Sequence, residues 1–159
     1  MSSPKYKIYR VETHLGLQDP LMGPGTRYHN TLFINTSPSG SGRTIQVIGT
    51  ISDLNGMTFQ EEASPAPESS DAFHQKYYLG QIRSEDYEQV VTLLRAIDPP
   101  PRQRVFDTKT LRYVKCKPDG TTYTEGEEER EYWKCTEWTL QRAVPALFGS
   151  GLLDTTSIS

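Results

Sequence analysis

The stretch Arg27-Tyr28-His29-Asn30-Thr31-Leu32-Phe33-Ile34, then Ser37-Pro38-Ser39-Gly40-Ser41-Gly42, then RTIQVIGT over Arg43–Thr50, decides the fold. The outer segments are rich in β-branched and aromatic residues, and the Pro, Ser and Gly between them turn the chain. Together they predict a β-hairpin with a long loop. Upstream, Lys5–Thr13 places Tyr6, Ile8 and Val11 among charged residues, as a half-exposed strand does. The Gly- and Pro-bearing segment 16–26 reads as a loop. Downstream, Asn55-Gly56 marks a turn and Met57–Glu61 a short strand. The polar segment 63–71 (ASPAPESSD) reads as a surface loop and Phe73–Ile82 as a further strand.

A helix is expected over about 84–98, with Ser84 as N-cap and Glu85 and Asp86 in the first turn, where carboxylates complement the dipole. Tyr87, Val90, Val91, Leu94 and Ile97 give it one apolar face, and Pro99-Pro100-Pro101 stops it. The pattern from 105 to 117 is mixed, and Pro118-Asp119-Gly120 is a turn. A second helix covers about 135–148, and its start has two readings. It opens near Glu125, or at Cys135-Thr136 with Thr136 as cap. The acidic run Glu125, Glu127, Glu128, Glu129 and Glu131 reads as a solvated helix start, and Pro145 as a kink. The expectation is one α+β domain over 1–159, an antiparallel sheet packed on two main helices, with frayed ends at 1–4 and 155–159.

Composition narrows the class. The chain has 159 residues, 35% of them hydrophobic, with 12 Gly and 11 Pro, which suits a loop-rich fold. A formal net charge of −3 argues against nucleic-acid binding, which rests on basic residues at phosphates. No apolar run approaches the roughly 20 residues that span a bilayer. The N-terminus lacks a signal-like apolar stretch, and a count of two cysteines argues against a disulfide scaffold. A soluble, cytoplasmic domain is expected, with a small-molecule or acyl substrate as its partner and with neither cofactor nor metal site.

Chemistry centres on three residues. A nucleophilic thiol needs a lowered pKa, a base within reach and a group that orients the base. Cys135 at a helix start meets the first need, since unpaired N–H groups favour a thiolate and also suit an oxyanion. His29, on a strand, is the natural base. Strand periodicity puts His29, Thr31 and Phe33 on one face, and Thr44, Gln46 and Ile48 on one face of the partner strand. Gln46 is thereby placed to bond the far ring nitrogen of His29 and fix its tautomer. Trp138 lies one turn beyond Cys135, either walling a pocket beside the thiol or packing in the core. Tyr28 and Glu137 are further candidates for substrate contact. His14, His74 and Cys116 are expected to be structural.

The strand motif at 27–34, the strand carrying Val47-Ile48-Gly49, the Asn55-Gly56-Met57 turn and the helix start Cys135-Thr136-Glu137-Trp138 resemble the permuted papain-like arrangement. In this arrangement, shared by lecithin-retinol acyltransferase-like proteins and permuted relatives of NlpC-type peptidases, the strand His precedes the helix Cys. The resemblance extends to small fungal proteins of this pattern and covers residues 27–60 and 76–153. It implies His29 as base and Cys135 as nucleophile. Acyltransferase-like members carry a second His on the following strand, where this chain has Gln46 or Val47. They commonly have Asn before the Cys and Glu-His after it, where this chain has Lys134 and Thr136-Glu137-Trp138. The expected activity is a cysteine-dependent hydrolase or acyl transferase acting on an amide, ester or thioester, with a tailoring step in fungal secondary metabolism as one setting. The alternatives are a non-catalytic binding protein of the same fold, or a cyclase or isomerase moving protons through His29 and Glu137.

Overall fold

Five antiparallel strands build the main sheet of the computed structural model, which describes residues 4–15, 22 and 25–156. The expected frayed residues at 1–3 and 157–159, and much of the 16–26 loop, lie outside the described residues. The strands are β1 (Lys5–His14), β2 (Tyr28–Asn35), β3 (Gly42–Ile48), β4 (Thr58–Ser64) and β5 (Phe73–Arg83), in spatial order β4-β3-β2-β1-β5. The 27–50 hairpin lies at the centre of this order, as its sequence requires. α1 (Tyr87–Arg95) follows, then a two-stranded ribbon of β6 (Arg104–Asp107) and β7 (Arg112–Lys115). The chain closes with a helical run over 135–149. This comprises α2 (Cys135–Glu137), a π-helical segment (Trp138–Ala143) and α3 (Val144–Gly149).

The fold is α+β, and its core lies between one sheet face and the helices. Ile8, Leu32, Ile34, Ile45 and Val47 from the sheet meet Val90, Val91 and Leu94 of α1 and Trp138, Ala143 and Leu147 of the last run. Each such aliphatic side chain contributes about 1.5–3 kcal/mol on burial. Trp138 is 0% exposed, its ring edge-on to Phe59 with centroids 6.2 Å apart. Val11 and Phe33 are buried on the opposite face, under the segment that follows β4.

Several boundaries differ from the sequence expectations. β4 continues through Ser64, because β3 serves as a template down to the Gly42↔Ser64 pair and Thr44 and Ser64 hydroxyls bond at 2.7 Å. The loop expected over 63–71 therefore begins at 65 and contains a short 3-10 turn, Pro67–Ser69. Ser84 does not cap α1. It opens a 3-10 turn, Ser84–Asp86, whose Asp86 carboxylate is held by Arg83 at 3.0 Å, and the α-helix begins only at Tyr87. The ribbon β6–β7 is a supersecondary element that the mixed 105–117 pattern concealed. The acidic run at 125–131 is coil rather than a helix start, so the second helix opens at Cys135. Pro145 leaves its mark as a local change of helix type. Having no N–H to donate, it follows a segment in which Val144 N–H reaches five residues back to Thr139 O.

Candidate functional site

β2 and β3 pair at four positions only, from Leu32↔Ile45 to Asn35↔Gly42. β2 nevertheless extends back to Tyr28 and β3 on to Ile48. The two strands separate beyond Leu32, and α2 packs against both of them there. This opening is where His29, Gln46 and Cys135 come together.

Cys135 Sγ lies 3.2 Å from His29 Nδ1, and His29 Nε2 lies 2.7 Å from Gln46 Oε1. The imidazole is therefore held at both nitrogens. Gln46 Nε2 in turn donates to Gln60 Oε1 at 2.8 Å on β4. Burial opposes ionisation of Cys135, but hydrogen bonding to His29, its charge and the Asn30 backbone N–H outweigh that penalty. The thiol titrates below its ordinary value. His29 shifts upward, because its hydrogen bond to Cys135 outweighs the cost of burial and Gln46 adds to the effect. Opposite shifts in two groups within hydrogen-bond reach favour a thiolate–imidazolium pair.

Surrounding residues fix the start of α2. Glu137 accepts the Lys134 backbone N–H at 2.8 Å, and both of its oxygens accept from Arg27 Nη2 at 3.0 and 2.9 Å. The carboxylate, a candidate for substrate contact in the sequence, here acts as a cap and ion-pair partner. Thr136 does not cap the helix; its hydroxyl donates to Tyr28 O at 3.2 Å and accepts from Asn30 Nδ2 at 3.1 Å. Asn30, 2% exposed, also accepts from Arg10 Nη1 at 2.9 Å. Gln103 clamps the chain just before the thiol. Its Nε2 donates to Trp133 O at 2.6 Å and its Oε1 accepts from Trp133 N–H at 2.8 Å. Gln103→Ala leaves both Trp133 groups without these partners. The expected cost is about 2 kcal/mol of stability, measured by urea denaturation, with slower Cys135 alkylation as the helix start loosens.

A cavity of about 320 Å³ opens beside Cys135, lined by Leu15, Tyr28, Val47, Ile48, Met57 and Lys134 among others. Tyr28 sits in its wall. Its ring stacks on His74 with centroids 4.1 Å apart, and His14 packs edge-on to both. Trp138 is absent from this wall: the side chain one turn on from Cys135 packs in the core, the second of its two readings, and not beside a substrate. Cys116 is 3% exposed and both cysteines are free thiols. Burial pushes the Cys116 thiol up, which disfavours its thiolate. Among the described residues no three or more His, Cys, Asp and Glu side chains form a metal cluster, and no helix is long and apolar enough to cross a membrane.

Sequence reasoning missed Asn30, Gln60 and Gln103. Asn30 carried a signal, being the polar member of a strand face that otherwise holds the buried Leu32 and Ile34. Gln60 and Gln103 carried none, since their roles depend on strand register and on the path of a distant coil.

Searches of curated proteins and of solved structures return no match. A protein-family profile, that of the family of unknown function DUF6540, matches residues 15–154. That span includes all three site residues and every strand except β1, and the chain belongs to the DUF6540 family.

Proposed function

We propose that the protein is a cysteine-dependent hydrolase or acyl transferase with a permuted papain-like arrangement, acting on an amide, ester or thioester. The observation that carries this reading is the imidazole held between Cys135 Sγ at 3.2 Å and Gln46 Oε1 at 2.7 Å, beside an open cavity. The thiol proton passes to His29 Nδ1, and Sγ attacks the carbonyl carbon of a substrate seated against Tyr28 and Met57. Negative charge moves onto the carbonyl oxygen, where N–H groups at the start of the 135–149 run stabilise it. The tetrahedral intermediate collapses as His29 returns its proton to the leaving nitrogen, oxygen or sulfur, and a thioester remains on Cys135. His29 then takes a proton from water or an acceptor alcohol, which attacks the thioester and frees the thiol.

The cyclase or isomerase alternative needs Glu137 as a proton carrier, and the Arg27 ion pair and the Lys134 N–H occupy that carboxylate. A binding protein of the same fold needs no thiol held 3.2 Å from an imidazole nitrogen at the edge of an open cavity. The test is intact-protein mass spectrometry after mixing with p-nitrophenyl acetate. One acetyl group on Cys135, formed in a burst and then lost by hydrolysis, supports the reading. An unmodified Cys135 with no turnover above buffer contradicts it.

The pKa shifts set the expected pH profile. Thiolate formation gives the acid limb, and because Cys135 is lowered from 9.0 this limb moves to the acid side of that value. Protonation of the leaving group by imidazolium gives the alkaline limb, and because His29 is raised from 6.5 this limb moves to its alkaline side. A bell-shaped kcat/KM is expected in a steady-state pH series, broader than an ordinary thiol and imidazole would give, because the acid limb moves down and the alkaline limb up.

A further inference from the structure

We infer that Gln60 is a positioning residue that selects the reactive state of the Cys135–His29 pair by fixing which end of the Gln46 amide faces the imidazole. The inference rests on the proposed thiol chemistry and extends the site to β4, whose Gln60 bonds to Gln46. Gln46 and Gln60 are directly paired across β3 and β4, so both side chains leave the same sheet face side by side. Gln46 has two different ends, an acceptor oxygen and a donor NH₂. In the thiolate–imidazolium state both ring nitrogens of His29 carry hydrogen. Nδ1–H points at the thiolate, and Nε2–H requires an acceptor. An amide NH₂ facing Nε2–H would set donor against donor.

The ion pair therefore admits one Gln46 orientation, with Oε1 toward His29 and NH₂ turned away. The structure has this orientation, with Oε1 at 2.7 Å from Nε2 and Nε2 of Gln46 donating to Gln60 Oε1 at 2.8 Å. Gln60 supplies the acceptor that the outward NH₂ needs. In the neutral pair the same arrangement puts the imidazole hydrogen on Nε2 and leaves Nδ1 free to take the thiol proton. Reversing the amide reverses the tautomer, places hydrogen on Nδ1 and removes the base from the thiol. The sequence of contacts Cys135–His29–Gln46–Gln60 thus has a direction, with Gln60 Oε1 as the acceptor at its far end.

Three substitutions separate this role from packing. Gln60→Glu keeps an acceptor beside the Gln46 NH₂, Gln60→Leu removes it, and Gln60→Lys presents a donor that favours the reversed amide. The readouts are the iodoacetamide rate at Cys135 across pH, followed on the Cys135 peptide by mass spectrometry, and the ¹⁵N shifts of the His29 ring. Gln60→Glu should stay within about threefold of wild type at pH 6. Gln60→Lys should be slower by about tenfold, the effect of one pKa unit, with Gln60→Leu between them. The His29 ring signals should move toward the Nδ1–H form in the order Glu, Leu, Lys. Equal rates and unchanged ring shifts in all three folded variants would overturn the role of Gln60 while leaving the Cys–His pair standing. Wild-type reactivity no greater than that of free cysteine, unaffected by His29→Ala, would overturn both.

Discussion

Cys135→Ala is expected to reduce turnover of an activated ester by at least about 10³-fold and to abolish the acetyl-enzyme. The magnitude follows from the arrangement of the site. Its covalent route has one nucleophile, since Cys116 is buried, pushed toward the protonated state and absent from the cavity wall. Without a sulfur at position 135, His29 has only water to activate, and the N–H groups at the helix start stabilise a weaker attack. His29→Ala should act on the same step with a loss of about 10²–10⁴-fold, the usual span for a general base. The double variant should lose little more than Cys135→Ala alone, because two groups serving one proton transfer do not add. Steady-state rates on p-nitrophenyl acetate, corrected for buffer hydrolysis, check all three. Activity retained in Cys135→Ala would favour a route with no covalent step.

The second large effect is on stability. Trp138→Ala should cost about 3–5 kcal/mol, the range for deleting a fully buried large aromatic side chain. Against a total of about 5–15 kcal/mol this is a large share, and a fall in Tm of roughly 6–20 °C is expected for a chain of this size. The ring is 0% exposed and edge-on to Phe59, and it lies directly after α2, so its removal also loosens the platform beneath Cys135. Its Nε1–H is buried with no hydrogen-bond partner. Trp138→Phe keeps most of the apolar mass and removes that orphaned donor, so it should cost much less than Trp138→Ala. Differential scanning calorimetry of the two variants separates packing from chemistry. Both should retain a Cys135 that reacts faster than free cysteine wherever they remain folded.

The centre of the sheet was legible because its evidence is local. β-Branched and aromatic residues over 27–34 and 43–50, with a Pro-Ser-Gly turn between, specify a hairpin, and the strand period of two says which residues share a face. That face assignment put His29 and Gln46 on one side before any contact was known. Cys135 at a helix start was legible as one of two openings, because an acidic run upstream competes with Thr136 as a start signal. The structure resolves the competition through contacts that no window reveals: Gln103 pins Trp133 as coil, and Glu137 caps from inside the helix. Trp138 illustrates a different limit. Spacing places it near the side of Cys135, yet the wide turn of the π-helical segment and the depth of the core decide where the ring goes. The ribbon β6–β7 escaped notice because Phe106 and Tyr113 are exposed and pack on each other rather than on the main core. Gln60 escaped because its meaning lies wholly in a cross-strand pair.

The contact between Cys135 and His29 favours a thiolate–imidazolium pair, and the rate of Cys135 modification by iodoacetamide at pH 6 reads that pair out. A free thiol with a pKa near 8.5 is only about 0.3% ionised there. Cys135 is expected to react at least about tenfold faster than free cysteine, and His29→Ala should bring the rate down to the free-thiol value or below it. A Cys135 that reacts no faster than free cysteine, at a rate His29→Ala leaves unchanged, would contradict the account.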